Sequence, residues 1–327
     1  MTKNSDNPID IVISWVNGND PVHKQKREQY MSKPNSVRED IDAPTRFNSV
    51  GEIYYCVASI IKFASFVRQI FIVTDNQNPH LDTFISDNFP ENKIPIKIID
   101  HRLIFKNFEE KLPTFNSISI ESCLYRIPDL SENFVYFNDD FFLMRPVAAS
   151  DWFRNNKAVA YGSWRSVAFD NFLRKIKPKK NGRKPFGFKD SMLNAPKILG
   201  IKSFYFCIKH TPLPLKKSIF EAYFNQNQDV FSENISYKFR NENQFNPQAL
   251  FYLLAFKSED CVKEKKEKSL LIKPAKKEIK YIERKKKTFE HNKKILFGCV
   301  ESADLAQTEV QKYLFEWVKN LLEIKTI

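Results

Sequence analysis

The amino-acid sequence predicts an α/β fold built on a mostly parallel β-sheet, and two observations lead to this prediction. Short apolar, β-branched runs, which are typical of buried strands, alternate in the first half of the chain with amphipathic stretches of helical period. Strands that alternate with helices are joined by right-handed crossovers into a parallel sheet. The chain is also large enough for a substantial core, since it has 327 residues of which 42% are hydrophobic.

Four strands are predicted in the first half of the chain, at residues 9–15, 69–75, 96–100 and 133–139. A helix is predicted over 49–66, because Ser49 and Glu52 have the spacing of a capping box and apolar residues follow at helical spacing. A second helix is expected over 117–127.

The pattern is looser after about residue 150. The predicted segments are a basic loop at 174–189, an aromatic helical region at 191–256, a charged helix pair or hairpin at 257–294 and an amphipathic helix at 303–323. We therefore divide the chain into a core over 1–256, into which the basic loop is inserted, and a basic helical C-terminal extension over 257–327.

The chain carries a formal net charge of +13, and this charge is unevenly distributed. Residues 174–189 hold eight basic residues and no acidic one, whereas residues 257–294 hold 15 basic and 7 acidic residues. Such basic patches suit a polyanion, which can be a phosphate-rich polymer, a nucleic acid or an anionic membrane surface. A solvated, lysine-rich surface explains the second patch equally well.

Composition argues against several classes of protein. No apolar run reaches the roughly 18 residues that a membrane-spanning helix needs, and the first ten residues contain no apolar signal core. We therefore expect a cytoplasmic protein. The 7 glycines argue against a glycine-rich phosphate-binding loop, and the five widely spaced cysteines favour free thiols over disulfides or a zinc site.

Polar and acidic residues follow each predicted strand. The four strand ends read WVNGND, VTDNQ, IIDHR and YFNDD. Ligands of open parallel sheets bind beyond the carboxyl ends of the strands, so this pattern favours a site at that edge. The alternative is that loops begin where strands end and loops are polar, but the doubled acid in the last segment favours the site.

The sharpest motif is FVYFNDDFFL at 134–143, in which Asp139 and Asp140 leave an apolar strand together. Burying such charges without partners is costly, so a functional role is favoured over a surface turn. One carboxylate can hold a hard cation such as Mg²⁺, which prefers to bridge phosphates, and the other can accept a proton from a hydroxyl nucleophile.

Long motifs follow one another in a fixed order from residue 9 to about residue 255. They are IDIVISWVNGNDP (9–21), a segment from Arg46 to about Leu143 that contains LPTFNS (112–117) and FNDDFFL (137–143), IKHTPLPLKKSIF (208–220) and KFR (238–240). In these motifs the chain resembles the Stealth family, which includes bacterial capsular polysaccharide phosphotransferases and the animal lysosomal-enzyme GlcNAc-1-phosphotransferase.

The sequence departs from the family pattern at two places. Ile118 stands where bacterial members often carry a histidine, so any role of that histidine is absent here. The family's fourth region is hard to find, and ILFGCVESAD at 295–304 is at most a degenerate version of it.

The resemblance implies a Rossmann-like nucleotide-sugar transferase core of the GT-A type with added helical segments, which makes 1–256 a catalytic core. It also implies transfer of a hexose-1-phosphate, such as GlcNAc-1-phosphate, from a UDP-sugar to a hydroxyl of a growing capsular polysaccharide, with release of UMP. The cofactor would be Mg²⁺ or Mn²⁺. Phosphoryl transfer needs positioning and charge neutralisation more than covalent chemistry, which suits the residues present.

Candidate catalytic residues follow from the matched motifs. Asp139 and Asp140 match the family's acidic pair, with one expected on the metal and the other near the acceptor hydroxyl. His210 is the best general base, since an imidazole titrates near neutral pH, although a lone histidine before Thr-Pro is also typical of a turn. Arg240 and Arg46 can grip a diphosphate bidentately, or serve as structural ion-pair partners.

Further residues are expected to bind substrate. Asn17, Gly18 and Asp20 follow the first strand, where a glycine would let the loop approach the nucleotide closely. The other candidates are Asn116, Ser117 and Asn138. For Asn116 and Ser117, capping of the following helix is an equally good interpretation.

Two rival functions remain open. A conventional glycosyltransferase would use the same donor and release UDP. A non-catalytic polyanion-binding protein would use the basic patches alone, but we expect no nucleic-acid partner, because the acidic strand ends would repel one and no RNA-recognition motif is present. For the patches themselves, we expect residues 174–189 to contact an anionic acceptor chain. The C-terminal basic stretch is expected to contact the inner membrane face, beside the capsule export machinery, and binding of a phosphate polymer is the competing use.

Overall fold

The computed structural model describes residues 7–31, 47–176 and 186–327. Their strands are β1 Ile9–Ser14, β2 Gln69–Thr74, β3 Ile96–Asp100, β4 Asn133–Asn138, β5 Phe141–Leu143, β6 Phe153–Arg154, β7 Lys157–Ala160, β8 Gly162–Ser166, β9 Phe204–Ile208, β10 Leu213–Lys216, β11 Cys261–Lys263, β12 Ser269–Ile272 and β13 Phe297–Val300.

The helices of the same residues complete the element order. They are α1 Pro21–Tyr30, α2 Glu52–Phe63, α3 Leu81–Asn88, α4 His101–Ile104, α5 Ser117–Cys123, α6 Ala149–Trp152, α7 Val167–Ile176, α8 Phe188–Ile198, α9 Lys217–Gln226, α10 Gln228–Ile235, α11 Pro247–Lys257, α12 Ile279–His291 and α13 Thr308–Leu322. In this part of the chain no helix is long and apolar enough to cross a membrane.

The central sheet has five strands in the order β10-β4-β1-β2-β3. The strands β1 to β4 run parallel, and Val12 of β1 lies between Phe71 of β2 and Tyr136 of β4. The strand β10 is antiparallel at one edge. The four predicted strands and their parallel arrangement are confirmed, because strands covered on both faces read as continuous apolar runs.

The predicted helix over 49–66 is present but begins later, at Glu52. Ser49 Oγ and the Val50 amide both donate to the Glu52 carboxylate, at 3.2 and 2.7 Å. The helix is capped instead by Gly51, whose φ of 89° lies in the left-handed region where glycine is favoured. The Ser49–Glu52 pair therefore shapes the approach to α2, and the expected capping box is wrong.

The helix predicted over 117–127 is confirmed as α5 and a following 3₁₀ turn at Leu124–Arg126. The amphipathic helix expected over 303–323 is confirmed as α13. Its apolar face packs against the core through Leu314 and Val318, which are buried.

The expected helix pair or hairpin over 257–294 is wrong, since this stretch contains β11, β12 and the single helix α12. β11 pairs with β7, and β12 pairs with β13, which in turn pairs with β5. Short apolar runs such as SLLI were not recognised as strands in the sequence, because lysine-rich segments surround them. The division into 1–256 and 257–327 stays a prediction, but the second segment shares two sheets with the first.

The basic loop at 174–189 falls largely outside the described residues, which omit 177–185. Its first residues belong to the end of α7 and its last to the start of α8. Arg46 also lies outside the described residues. All five cysteines are free thiols, and four of them are buried.

Candidate active site

A cleft of about 520 Å³ opens at the carboxyl ends of the parallel strands. The strand ends place Trp15, Asp75, His101 and Asp139 along it, because parallel strands present their carboxyl ends at one edge of the sheet. The opposite wall comes from later segments of the chain, including the residues after β9, after β12 and after β13. The sequence prediction of a site at this edge is therefore supported by the geometry.

The turn between β4 and β5 carries Asp139 and Asp140 into this cleft. The Val300 amide donates to the Asp140 carbonyl oxygen at 3.0 Å, and the Cys299 thiol lies 3.7 Å from Asp140 Oδ2. Since β13 also pairs with β5, a strand from the C-terminal segment holds the acidic turn in place.

A third carboxylate approaches the acidic pair from the start of α2. Glu52 is 8% exposed and lines the same cleft. Burial and the charge of Glu52 raise the pKa of Asp140 to about 7, and burial with the charges of Glu52 and Asp140 raises the pKa of Asp139 well above its usual value. Three acids thus share a space in which each disfavours the ionised form of the others.

These acids fit a divalent cation. Asp140 Oδ1 is buried and makes no hydrogen bond within the described residues. The same residues contain no group of three or more His, Cys, Asp or Glu that would enclose an ion by themselves. The unpaired, buried carboxylate oxygen of Asp140 is a ligand that suits a hard divalent cation.

His210 lies between β9 and β10 and lines the cleft that Asp139 and Asp140 also line. Its ring packs on Phe188, with centroids 5.0 Å apart. Burial lowers the pKa of His210, so the imidazole is neutral at physiological pH and able to accept a proton. His210 and the acidic pair, about 70 residues apart in sequence, therefore share one cleft.

Arg240 faces the cleft beside the first turn of α5. Its Nη2 donates to Ser117 Oγ at 2.6 Å. Burial lowers the pKa of Arg240, and the nearby charge of Glu121 opposes that change. Glu121 lines the cleft as well, so it balances the charge of Arg240 in a partly desolvated position.

The structure brings some predicted substrate-binding residues to the cleft and not others. Ser117 and Asn138 line it, and the Tyr136 hydroxyl donates to Asn138 Oδ1 at 2.6 Å. Asn116 is fully buried, where its amide donates to the carbonyls of Tyr237 and Phe239 and its oxygen caps α5. For Asn116 the capping interpretation is the one that the contacts support.

In the loop after β1, Trp15 and Val16 line the cleft, whereas Asn17, Gly18 and Asp20 do not. The Asp20 side chain caps α1 by accepting from the His23 amide at 2.8 Å. Asn17 exchanges two backbone hydrogen bonds with the Gln77 side chain. A Cβ at Gly18 would lie 2.2 Å from the Phe47 carbonyl oxygen, so the glycine permits a close approach of two chain segments. Its predicted approach to a nucleotide stays a prediction.

Several residues of the cleft were missed by sequence reasoning. They are His23, His101, Glu121, Lys209, Lys273, Glu301 and Asp304 as cleft residues, together with Glu52, which was interpreted only as a helix cap. A signal existed for two of the segments: IIDHR was recognised as a polar strand end, and Glu301 and Asp304 belong to the suspected fourth region at 295–304. Lys209 and Lys273 could not be singled out from the sequence, because it contains so many other lysines.

Comparison with solved structures identifies the class of fold. The chain is similar to the apo structure of the WbbM bifunctional glycosyltransferase, with a TM-score of 0.50 and 12% identity, over 99% of this chain and 52% of the other. The likeness concerns the fold alone. It confirms the predicted α/β core of the GT-A glycosyltransferase type.

Family models then place the chain more narrowly. Conserved region 1 of the Stealth proteins matches residues 7–34, and conserved region 2 matches residues 46–161. The chain belongs to the Stealth family, as its motifs predicted.

Curated relatives are named capsular polysaccharide phosphotransferases. Fcs1 of Haemophilus influenzae is 34% identical over 253 residues, which are 75% of this chain and 64% of the relative. LcbA of Aeromonas hydrophila is 33% identical over 256 residues, which are 76% and 65% of the two chains. WcwK of Streptococcus pneumoniae is 29% identical over 269 residues, or 73% and 76%. The chain thus spans just under two thirds of the length of the first two relatives.

Proposed function

We propose that this protein transfers a hexose-1-phosphate, such as GlcNAc-1-phosphate, from a UDP-sugar to a hydroxyl of a growing capsular polysaccharide. The product is a phosphodiester, and UMP is released. One observation carries the proposal: an acidic pair, a neutral imidazole and an arginine from distant segments line one cleft at the carboxyl edge of the sheet. The names of the relatives support the same reaction class.

In the proposed reaction the acceptor hydroxyl oxygen attacks the phosphorus that bears the sugar. A new P–O bond forms, the bond from that phosphorus to the bridging oxygen breaks, and UMP leaves with the bridging oxygen. The proton of the hydroxyl passes to His210, whose lowered pKa keeps it neutral before the reaction. Arg240 contacts the diphosphate oxygens as a charge-assisted donor.

Asp139 and Asp140 would hold Mg²⁺ or Mn²⁺, with Glu52 beside them. The cation supplies charge neutralisation for the diphosphate when it is bound. The carboxylates themselves orient that site, because β13 and the Ser59 side chain of α2 hold the turn between β4 and β5. Leu143 contributes to this by donating its amide to Ser59 Oγ of α2 at 2.9 Å.

The test is a product assay. The purified chain is incubated with Mg²⁺, a panel of UDP-sugars and capsule fragments, and UMP is separated from UDP. The proposal expects UMP in step with the growth of a phosphodiester-linked product. Release of UDP with a glycosidic product would replace it with conventional glycosyl transfer, and acceptor binding without turnover would indicate a polyanion-binding protein.

We further propose that the two basic segments bind anionic partners. For the basic loop the partner is the acceptor polymer, so charge reversal of the lysines within 177–184 should weaken use of long acceptors and leave donor hydrolysis intact.

For the C-terminal segment the proposed anionic partner is the inner membrane face, next to export machinery. On α12, Ile282 and Phe289 pack inward while Lys287 is exposed, and each such residue contributes about 1 kcal/mol near an anionic bilayer. Equal sedimentation with anionic and neutral vesicles would contradict the membrane contact.

A further inference from the structure

An exposed apolar stripe runs along α7, a helix that takes no part in the cleft. Phe169, Phe172 and Ile176 are 56%, 57% and 62% exposed. Because residues three and four apart are neighbours on a helix, these side chains form one stripe. Large apolar side chains that are scattered singly over a surface need no explanation, but a contiguous group of them marks an interaction site. The stripe therefore indicates a surface that a partner covers.

The opposite side of α7 is tied to the protein by buried ion pairs. Asp170, which is 2% exposed, accepts two hydrogen bonds from Arg165 at 2.6 and 2.7 Å and one from Lys189 at 2.7 Å. Near the end of the helix, Arg174 pairs with Asp190 of α8 at 3.2 Å. These contacts fix the orientation of α7, so the apolar stripe is presented outward by the fold itself.

The charge around the stripe is positive. In the described stretches 162–176 and 186–208, the acidic residues are Asp170 and Asp190, and both are buried. Lys175, Lys197 and Lys202 are exposed in the same stretches. Exposed lysines beside an outward apolar stripe are the composition of a helix that lies in the interface of an anionic membrane.

The segment before β9 extends this surface beyond the first turn of α7. The Val167 amide donates to the Ser203 carbonyl oxygen at 3.0 Å, so the neighbouring residues Lys202 and Phe204 lie beside that turn. The Phe204 side chain is 56% exposed. A further ring and a lysine thus adjoin the stripe at one end, and Lys175 adjoins it at the other.

Two other occupants fit the stripe less well. A symmetric dimer uses the same surface on both copies, so a second copy of the chain would bring these lysines face to face. A polysaccharide is polar along its whole length, and the phenylalanine and isoleucine side chains of the stripe offer it no hydrogen-bond donor or acceptor. A bilayer offers hydrocarbon to the stripe and anionic phosphates to the lysines.

We propose that the apolar stripe of α7 docks this protein on an anionic lipid bilayer, with Phe169, Phe172 and Ile176 inserted at the boundary of head groups and acyl chains. The lysines around the stripe contact the lipid phosphates. The helix α12 supplies charge alone to a membrane contact, since Ile282 and Phe289 pack inward. The stripe of α7 supplies the apolar contact, which salt does not screen. This inference does not depend on which group the protein transfers.

The experiment is vesicle sedimentation of the full chain, with vesicles of phosphatidylglycerol and phosphatidylcholine in equal parts. The wild-type chain should bind them about tenfold more tightly than vesicles of phosphatidylcholine alone. The double variant Phe169→Ser/Phe172→Ser leaves the charge unchanged and should weaken binding to the anionic vesicles by about tenfold. The matched control is Val22→Ser/Leu103→Ser, which removes side chains that are 73% and 47% exposed elsewhere and should bind as the wild type does.

A second measurement reads insertion directly and stands even where the double variant fails to fold. Phe172→Trp keeps an aromatic ring on the stripe and adds a fluorophore. Phospholipids brominated on their acyl chains should quench the fluorescence of this variant more strongly than that of the wild-type chain. Bound vesicles without additional quenching would place the stripe outside the bilayer and overturn the inference.

Other results would overturn it as well. They are a wild-type chain that does not sediment with the anionic vesicles, and a double variant that sediments as the wild type does. A wild-type dimer that the double variant dissociates in sedimentation velocity would assign the stripe to a second copy. Loss of capsule-fragment binding with unchanged vesicle binding would assign it to the polysaccharide. Because none of these measurements reads turnover, failure here is separate from failure of the proposed function.

Discussion

Asp140 is a cleft residue whose proposed function comes at a cost in folding stability. Its backbone is held by Val300 and its side chain lies beside Cys299 and Glu52, so it cannot turn away from the like charges around it. The pKa of its carboxyl is raised for that reason. Charges kept together against their own repulsion are typical of functional sites, where a ligand offsets the cost.

Asp140→Asn should therefore separate activity from stability. We expect UMP release to fall by about 100-fold or more, because a cation ligand or proton acceptor is lost. The melting temperature should stay constant or rise, since a neutral amide relieves repulsion from Glu52 and Asp139. Product assays and thermal unfolding measure the two effects, and a parallel loss of both would indicate a structural aspartate.

His210→Gln tests the proposed base. The expected result is a fall in kcat of about 10²–10⁴-fold with little change in donor affinity, because general-base catalysis acts on the chemical step. The exposed residue His291 provides the control, as His291→Gln should retain full activity. An unchanged kcat with a raised KM would instead make His210 a substrate-binding residue.

At the scale of elements, the start of α5 joins the first half of the chain to the segment around Arg240. Asn116 caps the helix and donates to the carbonyls of Tyr237 and Phe239 and to Gln244 Oε1, while Ser117 accepts from Arg240. One buried amide thereby positions a cleft-lining arginine. The stability of this junction and the geometry of the site are consequently linked.

Asn116→Ala should destabilise the fold by about 2–3 kcal/mol, since a helix cap and several buried hydrogen bonds are lost together. Urea unfolding followed by circular dichroism measures the change. Ser117→Ala is the neighbouring comparison, with a smaller expected loss, because its hydroxyl bonds the partly exposed side chains of Arg240 and Glu121 and does not join the helix cap to buried carbonyls. Equally small losses of unfolding free energy in the two variants would show that Asn116 does not hold α5 to the segment around Arg240.

At the scale of the whole molecule, stability should depend on pH through the buried histidines. His101 lies near Asp75, Asp100, Lys26 and His23, and burial outweighs the two carboxylates in lowering its pKa to about 4. Below pH 6.5 the unfolded chain binds a proton at this residue that the folded chain does not bind. The contribution of His101 to the free energy of unfolding is fully present above pH 6.5 and is lost as the pH falls toward 4.

Urea unfolding between pH 4.5 and 7.5 tests this expectation. The raised pKa values of Asp139, Asp140 and Glu52 favour the folded chain at acid pH, so the contribution of His101 is measured as a difference between variants. Between pH 7.5 and 4.5 the free energy of unfolding should change less favourably in the wild-type chain than in His101→Phe. His80→Phe, at an exposed position, provides the comparison and should retain the wild-type slope. Identical slopes in wild type and His101→Phe would show that His101 protonates equally well in the folded chain.

The sequence by itself determined the sheet and the position of the acidic pair. Short, β-branched and aromatic apolar runs such as IDIVIS and NFVYFN are typical of buried strands, and acids that directly follow such a strand lie at the edge of the sheet. The sequence did not reveal the structural roles of some of these residues: Asp20 caps a helix, Gly18 permits a close chain contact, and Glu52 lines the cleft beside the acidic pair.

Only the tertiary structure decided which distant residues complete the cleft. The motifs named His210 and Arg240 as candidates, but only the fold shows that they and Glu301, between about 70 and 160 residues from the acidic pair in the chain, line the same cleft. The strand β13 reaches the acidic turn by pairing with β5, a long-range contact that no periodicity predicts. Local patterns determine local structure because they act through backbone and burial preferences, whereas a site built across the chain depends on how the packed elements meet.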